Sequence, residues 1–233
     1  MPHGYRRCFP LGKKSPVLST HLGYDPGILP VFKKAVRVTG CRKAYSTVTR
    51  LLIDQNRTPG NPSLYSAYSC GLDEVKKQKL LDRYYTPYVS RLERHIREGL
   101  EYGPVIHVSF HSFTPVFEGR TRPFDMGILF DPRSSLERML ADELRGVCEG
   151  ETPLTIRFNE PYLGTDDGMC SMFRNTFGGG YAGIELEFRN TGLSPAVTGD
   201  FARLTDCVIR WLNRITGGEF SDKIRGSGWR ITE

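Results

Sequence analysis

The chain has 233 residues, 39% of them hydrophobic and 25% charged, and no run approaches the roughly 18 apolar residues that a membrane span requires. This length and composition predict one soluble globular domain over residues 1–233. The net charge of +6 is spread over short groups such as Lys33-Lys34 and Lys76-Lys77, so solvated helix faces are favoured over a nucleic-acid-binding surface.

The first predicted helix follows Asp25-Pro26, which is typical of an N-cap residue with proline at the first helical position. The helix should extend to about Val38 and end at Gly40. The segments Lys43–Thr47 and Arg50–Ile53 are then strand-like. A loop rich in Pro, Ser and Tyr over residues 61–69 separates them from the next helix.

A long helical region is predicted from Asp73 to about Tyr102. Asp73 suits the N-cap position, and apolar residues recur after it at helical spacing. Pro87 lacks a backbone N–H and should kink or divide this region.

The segment Val105–Phe110 alternates in polarity, which predicts a strand. Ile106, Val108 and Phe110 would share one face, and His107, Ser109 and His111 the other. The strand should therefore deliver His111 to its carboxyl end.

The rest of the chain continues the alternation of strands and helices. Strands are predicted over Phe124–Phe130, Leu154–Phe158 and Tyr181–Phe188, with helices after Ser134 and over Val197–Ile215. This order predicts an α/β fold, a three-layer αβα sandwich with a mixed, mostly parallel sheet. Ligands would bind at the carboxyl ends of its strands.

The cysteines are widely spaced and form no Cys-x-x-Cys pair, which argues against a zinc knuckle or a disulfide scaffold. The first residues lack the apolar core of a signal peptide. Both observations predict a cytoplasmic protein.

Two polar clusters at predicted strand ends are candidates for a functional site. Asn56-Arg57 follows an apolar run, and its guanidinium could bind a carboxylate through two hydrogen bonds. The alternative is an arginine that pairs with Asp54 or another acid to fix a loop. His111 could bind a metal or act in catalysis, or it could be a core histidine bonded to a backbone carbonyl.

Acidic residues provide two further candidates. Glu185 and Glu187 have the same strand parity, so one could be a general base and the other could orient it, unless both are part of a charged sheet edge. His21 and Asp25 are four residues apart and could share a metal, although the N-cap role explains Asp25 equally well.

Five motifs, in order, resemble the N-formylglutamate amidohydrolase family. They are Thr49–Arg57, Val108–Pro115, Asp125–Pro132, Asn159–Tyr162 and Gly183–Glu187. The resemblance extends from about Pro2 to Asn190 and implies a fold similar to that of zinc carboxypeptidases, within the zinc-exopeptidase (phosphorylase/hydrolase)-like class.

The resemblance also implies roles for individual residues. Asn56 and Arg57 would hold the substrate carboxylate, helped by Arg50 or Arg122. His111 would be a zinc ligand and catalytic residue, and Glu187 would be the general base. The remaining metal-ligand candidates, His21 and Asp25, fit the family pattern His-x-Gly-Tyr-Asp-Pro-Gly.

The chain departs from the family at its start. Members usually begin with a strand that ends in a Cys-Glu-His-Gly-Gly-Asn-like segment, whose histidine resembles a metal ligand, and Met1-Pro2 matches the stretch after it. The expectation is that this strand is lacking and that the metal site is incomplete, unless His3 substitutes.

The function implied is zinc-dependent hydrolysis of the amide bond of an N-acyl amino acid or dicarboxylate such as N-formylglutamate, with release of formate and glutamate. The alternative is a non-catalytic or truncated protein of the same fold that binds carboxylate ligands without a complete metal site. Neither reading predicts a nucleic-acid or membrane partner.

Overall fold

The computed structural model describes residues 15–193 and 196–220. The helices are α1 (Ile28–Thr39), α2 (Glu74–Leu80), α3 (Thr86–Leu100), α4 (Ser135–Glu151), α5 (Met169–Phe177) and α6 (Gly199–Thr216). The strands are β1 (Val105–Phe113), β2 (Val116–Phe117), β3 (Arg120–Thr121), β4 (Met126–Leu129), β5 (Ile156–Phe158) and β6 (Tyr181–Arg189).

Four strands form the main sheet in the order β1-β6-β4-β5. The β1–β6 and β4–β5 pairs are parallel, and the central β6–β4 pair is antiparallel. The short strands β2 and β3 form a separate antiparallel pair. The prediction of a mixed, mostly parallel sheet in an α/β fold is therefore confirmed.

Helices cover both faces of the sheet. On one face α1, α4 and α6 pack against the apolar side chains of β6, with Ile184, Leu186 and Phe188 fully buried among them. On the other face α3 and α5 belong to a second apolar cluster, which includes Tyr181. The alternation predicted for β1 is also confirmed, because Ile106, Val108 and Phe110 pack against the first cluster.

Pro87 divides the long helical region, as predicted. Asp73 is the N-cap, and its side chain accepts a hydrogen bond of 2.9 Å from the Lys76 N–H. A π-helical turn over Leu81–Tyr85 then separates α2 from α3, and Pro87 lies in the first turn of α3. None of the helices within the described ranges is both long and apolar enough to cross a bilayer.

Two predicted strands are wrong. Lys43–Thr47 is irregular, and Arg50–Ile53 forms a turn in which the Leu52 N–H donates to the Thr49 carbonyl at 3.0 Å. Leu51, Leu52 and Ile53 are all buried. A strand between one buried and one exposed face would bury alternate residues, so this apolar run reflects a turn enclosed by the core.

The N-cap interpretation of Asp25 is also wrong. Gly27, with φ of 80°, is the N-cap of α1, and the helix begins at Ile28. Any side chain at residue 27 would collide with Leu193, whose Cβ lies 2.4 Å from the position of the missing Cβ. The Asp25 carboxylate is consequently available for tertiary contacts.

Candidate active site

The parallel pairing of β1 with β6 brings the predicted catalytic residues together. His111 is the register partner of Glu187, and Ser109 is the partner of Glu185. Alternate residues of a strand share a face, so all four side chains lie on the side opposite the first apolar cluster. Two segments that are distant in sequence thus form one polar row.

His111 is held at both ring nitrogens. Its Nδ1 lies 2.8 Å from Asp25 Oδ2, and its Nε2 lies 2.9 Å from Ser109 Oγ. Glu185 Oε2 is 3.9 Å from the same Nε2. Burial alone would lower the pKa of His111, but the hydrogen bond and charge of Asp25 outweigh it, so the pKa is raised.

Glu187 is a buried carboxylic acid with an unusual environment. Burial raises its pKa to about 8, and the charges of Asp25 and Glu185 add to this, against the opposing charges of His111 and Arg50. Its Oε2 has no hydrogen-bond partner among the described residues. Its raised pKa and its place beside His111 and Asp25 make this oxygen a candidate for contact with a ligand.

Arg50 adds a second positive charge to the site, beside that of His111. It forms an ion pair with Asp25, and its side chain remains 39% exposed. Burial lowers its pKa, but Asp25, Asp54 and Glu187 together raise it, so the guanidinium stays charged. Asp25 contacts both His111 and Arg50 and therefore connects these two side chains.

Asn56 and Arg57 join two loops. Asn56 Oδ1 accepts from the Met169 N–H at 3.0 Å, and Arg57 Nη1 donates to the Asp167 carbonyl at 2.6 Å. The Asp167 carboxylate in turn accepts from Thr58 and from Asn61, at 2.6 and 2.7 Å. The arginine therefore has a structural partner, which is a backbone carbonyl rather than the acid considered above.

A cavity of about 860 Å³ extends along β1 and α1. Of the predicted site residues, Asp25, Arg50, Asn56 and His111 line it. Much of the remaining lining is apolar and includes Phe32 and Phe110. A small molecule that enters the cavity would contact Asp25, Arg50 and His111.

Comparison with known proteins identifies the family of this chain. The family model described as N-formylglutamate amidohydrolase matches residues 1–193. The chain belongs to the N-formylglutamate amidohydrolase family. No curated protein matches it.

Two solved structures resemble this member of the N-formylglutamate amidohydrolase family. The gene product Atu2144 of Agrobacterium tumefaciens is 28% identical, with a TM-score of 0.76, over 94% of this chain and 86% of that chain. The N-formylglutamate amidohydrolase of Ralstonia eutropha JMP134 is 18% identical, with a TM-score of 0.52, over 72% of this chain and 73% of that one. The second likeness supports the fold alone.

Two predicted site residues of this N-formylglutamate amidohydrolase family member lie in an aromatic cluster beyond β1. The His21 ring meets the Phe117 ring edge-on, with centroids 6.3 Å apart. The Arg122 guanidinium lies 4.9 Å from the centre of the same Phe117 ring. Within the described part of the chain, no hydrogen bond or ion pair joins His21 to Asp25 or to His111.

The described residues do not complete a zinc site. Catalytic zinc sites use three protein ligands, whereas of the three predicted ligands only Asp25 and His111 are in contact, and they contact each other. Among residues 15–193 and 196–220, no group of three or more His, Cys, Asp or Glu side chains is arranged to hold a metal ion. His3, the other candidate, lies outside the described residues.

Tyr162 is a site neighbour that the sequence did not single out. It follows the Glu160-Pro161 peptide bond, which is cis, and the Arg122 guanidinium lies 5.3 Å from the centre of its ring. The only sequence signal was its position in the Asn159–Tyr162 motif, to which no role was assigned.

Proposed function

We propose that this protein hydrolyses the amide bond of an N-acyl amino acid, with N-formylglutamate as the expected type of substrate and formate and glutamate as products. The observation that carries the proposal is the buried Glu187 carboxyl, which has a partnerless oxygen and pairs in register with His111. Family membership supports amidohydrolase chemistry.

Glu187 would move the proton in this reaction. Amide hydrolysis requires a base that takes a proton from water and then delivers it to the departing nitrogen. A carboxyl with a pKa of about 8 can hold and release a proton near neutral pH. An ordinary exposed glutamate would be too weak a base for the first step and too rarely protonated for the second.

Arg50 would stabilise negative charge on the reacting carbonyl oxygen. It is a fixed cation beside Glu187 and Asp25, and its partial exposure leaves donors accessible to a ligand. Arg57 uses one N–H on the Asp167 carbonyl and retains others, so Asn56 and Arg57 stay proposed as ligands of a substrate carboxylate.

Zinc dependence stays a prediction. Among the described residues only two of the predicted ligands, Asp25 and His111, lie side by side, whereas a catalytic zinc site uses three. Metal analysis of the purified full chain tests it directly. A stoichiometric ion that is lost in His111→Ala would support a metalloenzyme, and equal metal content in both proteins would count against His111 as a ligand. A cytoplasmic location likewise stays a prediction from the cysteine pattern.

The test of the function compares formate release from N-formyl-L-glutamate by the wild type, Glu187→Gln and Glu149→Gln, each with added divalent metal. Loss of the base should lower kcat by about 10²- to 10⁴-fold. Glu149 lies on the exposed side of α4, paired with Arg145, so its variant should match the wild type. Binding of N-formylglutamate without turnover in the wild type would instead favour the carboxylate-binding alternative.

A further inference from the structure

The cavity that contains Asp25, Arg50 and His111 extends around the edge of β1. In the described part of the chain, β1 is the outermost strand of the main sheet. Its five consecutive residues 107–111 all line the cavity. Successive side chains of a strand point to opposite faces of the sheet, so a cavity that all five line must pass the strand's edge. The polar face of β1 and its apolar face therefore open into one cavity.

An aromatic wall bounds the cavity on the apolar face of β1. The wall consists of Phe32, Tyr45 and Phe110, which all line the cavity. The Phe32 ring meets the Tyr45 and Phe110 rings edge-on, with centroids 5.9 Å apart in each pair. Lys33 Nζ lies 5.6 Å from the centre of the Tyr45 ring. Three rings from different parts of the chain thus form one apolar surface.

Phe32 and Tyr45 lie outside the core. Helix α1 buries Ile28, Val31 and Ala35 in the first apolar cluster. Within the described residues, neither Phe32 nor Tyr45 belongs to either apolar cluster, and Tyr45 is 45% exposed. Rings outside the core still contact water, so an apolar ligand group that covers them gains binding free energy.

The aromatic wall and the proposed carboxylate-binding residues lie toward opposite faces of the sheet. Asn56 accepts from the Met169 N–H, and Met169 belongs to the second apolar cluster. Phe110 packs against the first cluster. Asp25, which precedes the helix that covers the first face, contacts His111 on the second. A ligand with its carboxylate at Asn56 and its amide at His111 would therefore extend its acyl group toward the wall.

The cavity is much larger than a formyl group. Its volume is about 860 Å³, whereas a water molecule occupies about 30 Å³ of the liquid. A formyl group has two heavy atoms and could not cover three aromatic rings. Aromatic rings pack well edge-on or offset against further rings. The volume and the aromatic lining together favour an acyl group that carries its own ring.

We propose that the aromatic wall is an acyl-binding subsite, which makes the protein select N-acyl amino acids with an aromatic acyl group of about benzoyl size. This inference rests on the proposed function, because the carboxylate and the amide would occupy the site around Arg50, Asn56 and His111. It goes beyond that function by naming the acyl group and by assigning Phe32 and Tyr45 to specificity.

The test measures binding by calorimetry with two sulfonamides, which are not amides and do not depend on turnover. N-Benzenesulfonyl-L-glutamate and N-methanesulfonyl-L-glutamate carry the same carboxylates and differ only in the apolar group. The wild type should bind the benzenesulfonyl ligand at least about tenfold more tightly, because its ring buries apolar surface. Phe32→Ala should reduce this preference by about fivefold or more and leave methanesulfonyl binding within about twofold.

The control is Tyr102→Ala. The Tyr102 ring is 86% exposed and does not line the cavity, so its removal should leave the preference at the wild-type value. If Phe32→Ala does not fold, Tyr45→Ser provides a second test, because Tyr45 lies outside both apolar clusters. That variant should reduce the preference by about threefold or more.

The outcomes separate this inference from the proposed function. The subsite is wrong if the wild type shows no preference, or if the preference survives in both Phe32→Ala and Tyr45→Ser. If the preference depends on these residues while neither N-formyl- nor N-benzoyl-L-glutamate is hydrolysed, the subsite stands and the hydrolase proposal fails. If formate is released from N-formyl-L-glutamate and neither variant changes the preference, the hydrolase stands and the subsite fails.

Discussion

His107 lies on the same face of β1 as His111, yet its surroundings give it the opposite character. Burial lowers its pKa to about 4, and the charge of His111 adds to the effect. The Tyr181 hydroxyl, 2.6 Å from its Nδ1, can donate to the neutral ring. A charged carboxylate partner therefore distinguishes the two histidines, since Asp25 reaches only His111.

This difference predicts a dependence of stability on pH. The pKa of His107 is about 4 in the folded chain and about 6.5 when unfolded, so the unfolded state binds more protons between these values. The contribution of His107 to the free energy of unfolding is therefore complete above pH 6.5. It falls by up to about 3 kcal/mol as the pH decreases toward 4. Denaturant unfolding at pH 7 and pH 5 should show the wild type losing about 2 kcal/mol more than His107→Gln. Equal losses in the two proteins would mean that the buried His107 ring is already charged in the folded chain at pH 5.

At the scale of elements, the Asn159–Tyr162 segment can approach β4 closely only because residues 127 and 164 are glycines. The Glu160 carbonyl lies where a side chain at Gly127 would begin, and the Phe130 backbone lies 2.1 Å from the Cβ position of Gly164. Neither neighbour is the end of a flexible side chain. The sequence shows two ordinary glycines, and only the packing of the loop shows that both must be glycine.

Gly127→Ala should therefore destabilise the protein by about 1–3 kcal/mol, because the loop must move away from β4. The matched substitution is Gly146→Ala in α4, where the new methyl group meets nothing within 4 Å. That variant should gain about 0.5–1 kcal/mol from helix propensity. Free energies of unfolding from denaturant titrations check both values, and similar changes in the two variants would contradict the close approach.

At the scale of the whole molecule, one buried ion pair connects several parts of the fold. Glu137 of α4 accepts 2.7 Å bonds from Arg174 of α5 and from the Asp131 N–H, and a 2.8 Å bond from the Gly183 N–H of β6. Arg174 also donates to the Gly164 and Gly183 carbonyls, at 2.6 and 2.8 Å. The pair thus links two helices to the strand that carries Glu185 and Glu187.

Glu137→Ala should cost about 3–5 kcal/mol, because it leaves Arg174 buried without its countercharge. Glu149→Ala removes the exposed partner of Arg145 on the same helix and should change stability by less than about 0.5 kcal/mol. Thermal and denaturant unfolding of both variants checks the contrast. A cost for Glu137→Ala as small as that of Glu149→Ala would show that the network does not hold the helices to the sheet.

The sequence by itself determined the fold class and the faces of its strands. Period-two alternation in β1 and β6, and the cap at Asp73, are local signals whose physical causes lie within a few residues, so they could be predicted. The apolar run Leu51–Ile53 was misread as a strand because a buried turn and a buried strand have the same composition. Whether such a run extends or bends depends on partners elsewhere in the chain.

Only the tertiary structure decided which contacts the polar residues make. Asp25 could equally have been an N-cap or a site residue, and its contacts with His111 and Arg50 arise from residues 86 and 25 positions away. The raised pKa of Glu187 and the aromatic ring of Tyr162 beside Arg122 likewise depend on residues that are distant in sequence. Burial and electrostatic environment are set by side chains that meet only when the chain folds, so no local pattern encodes them.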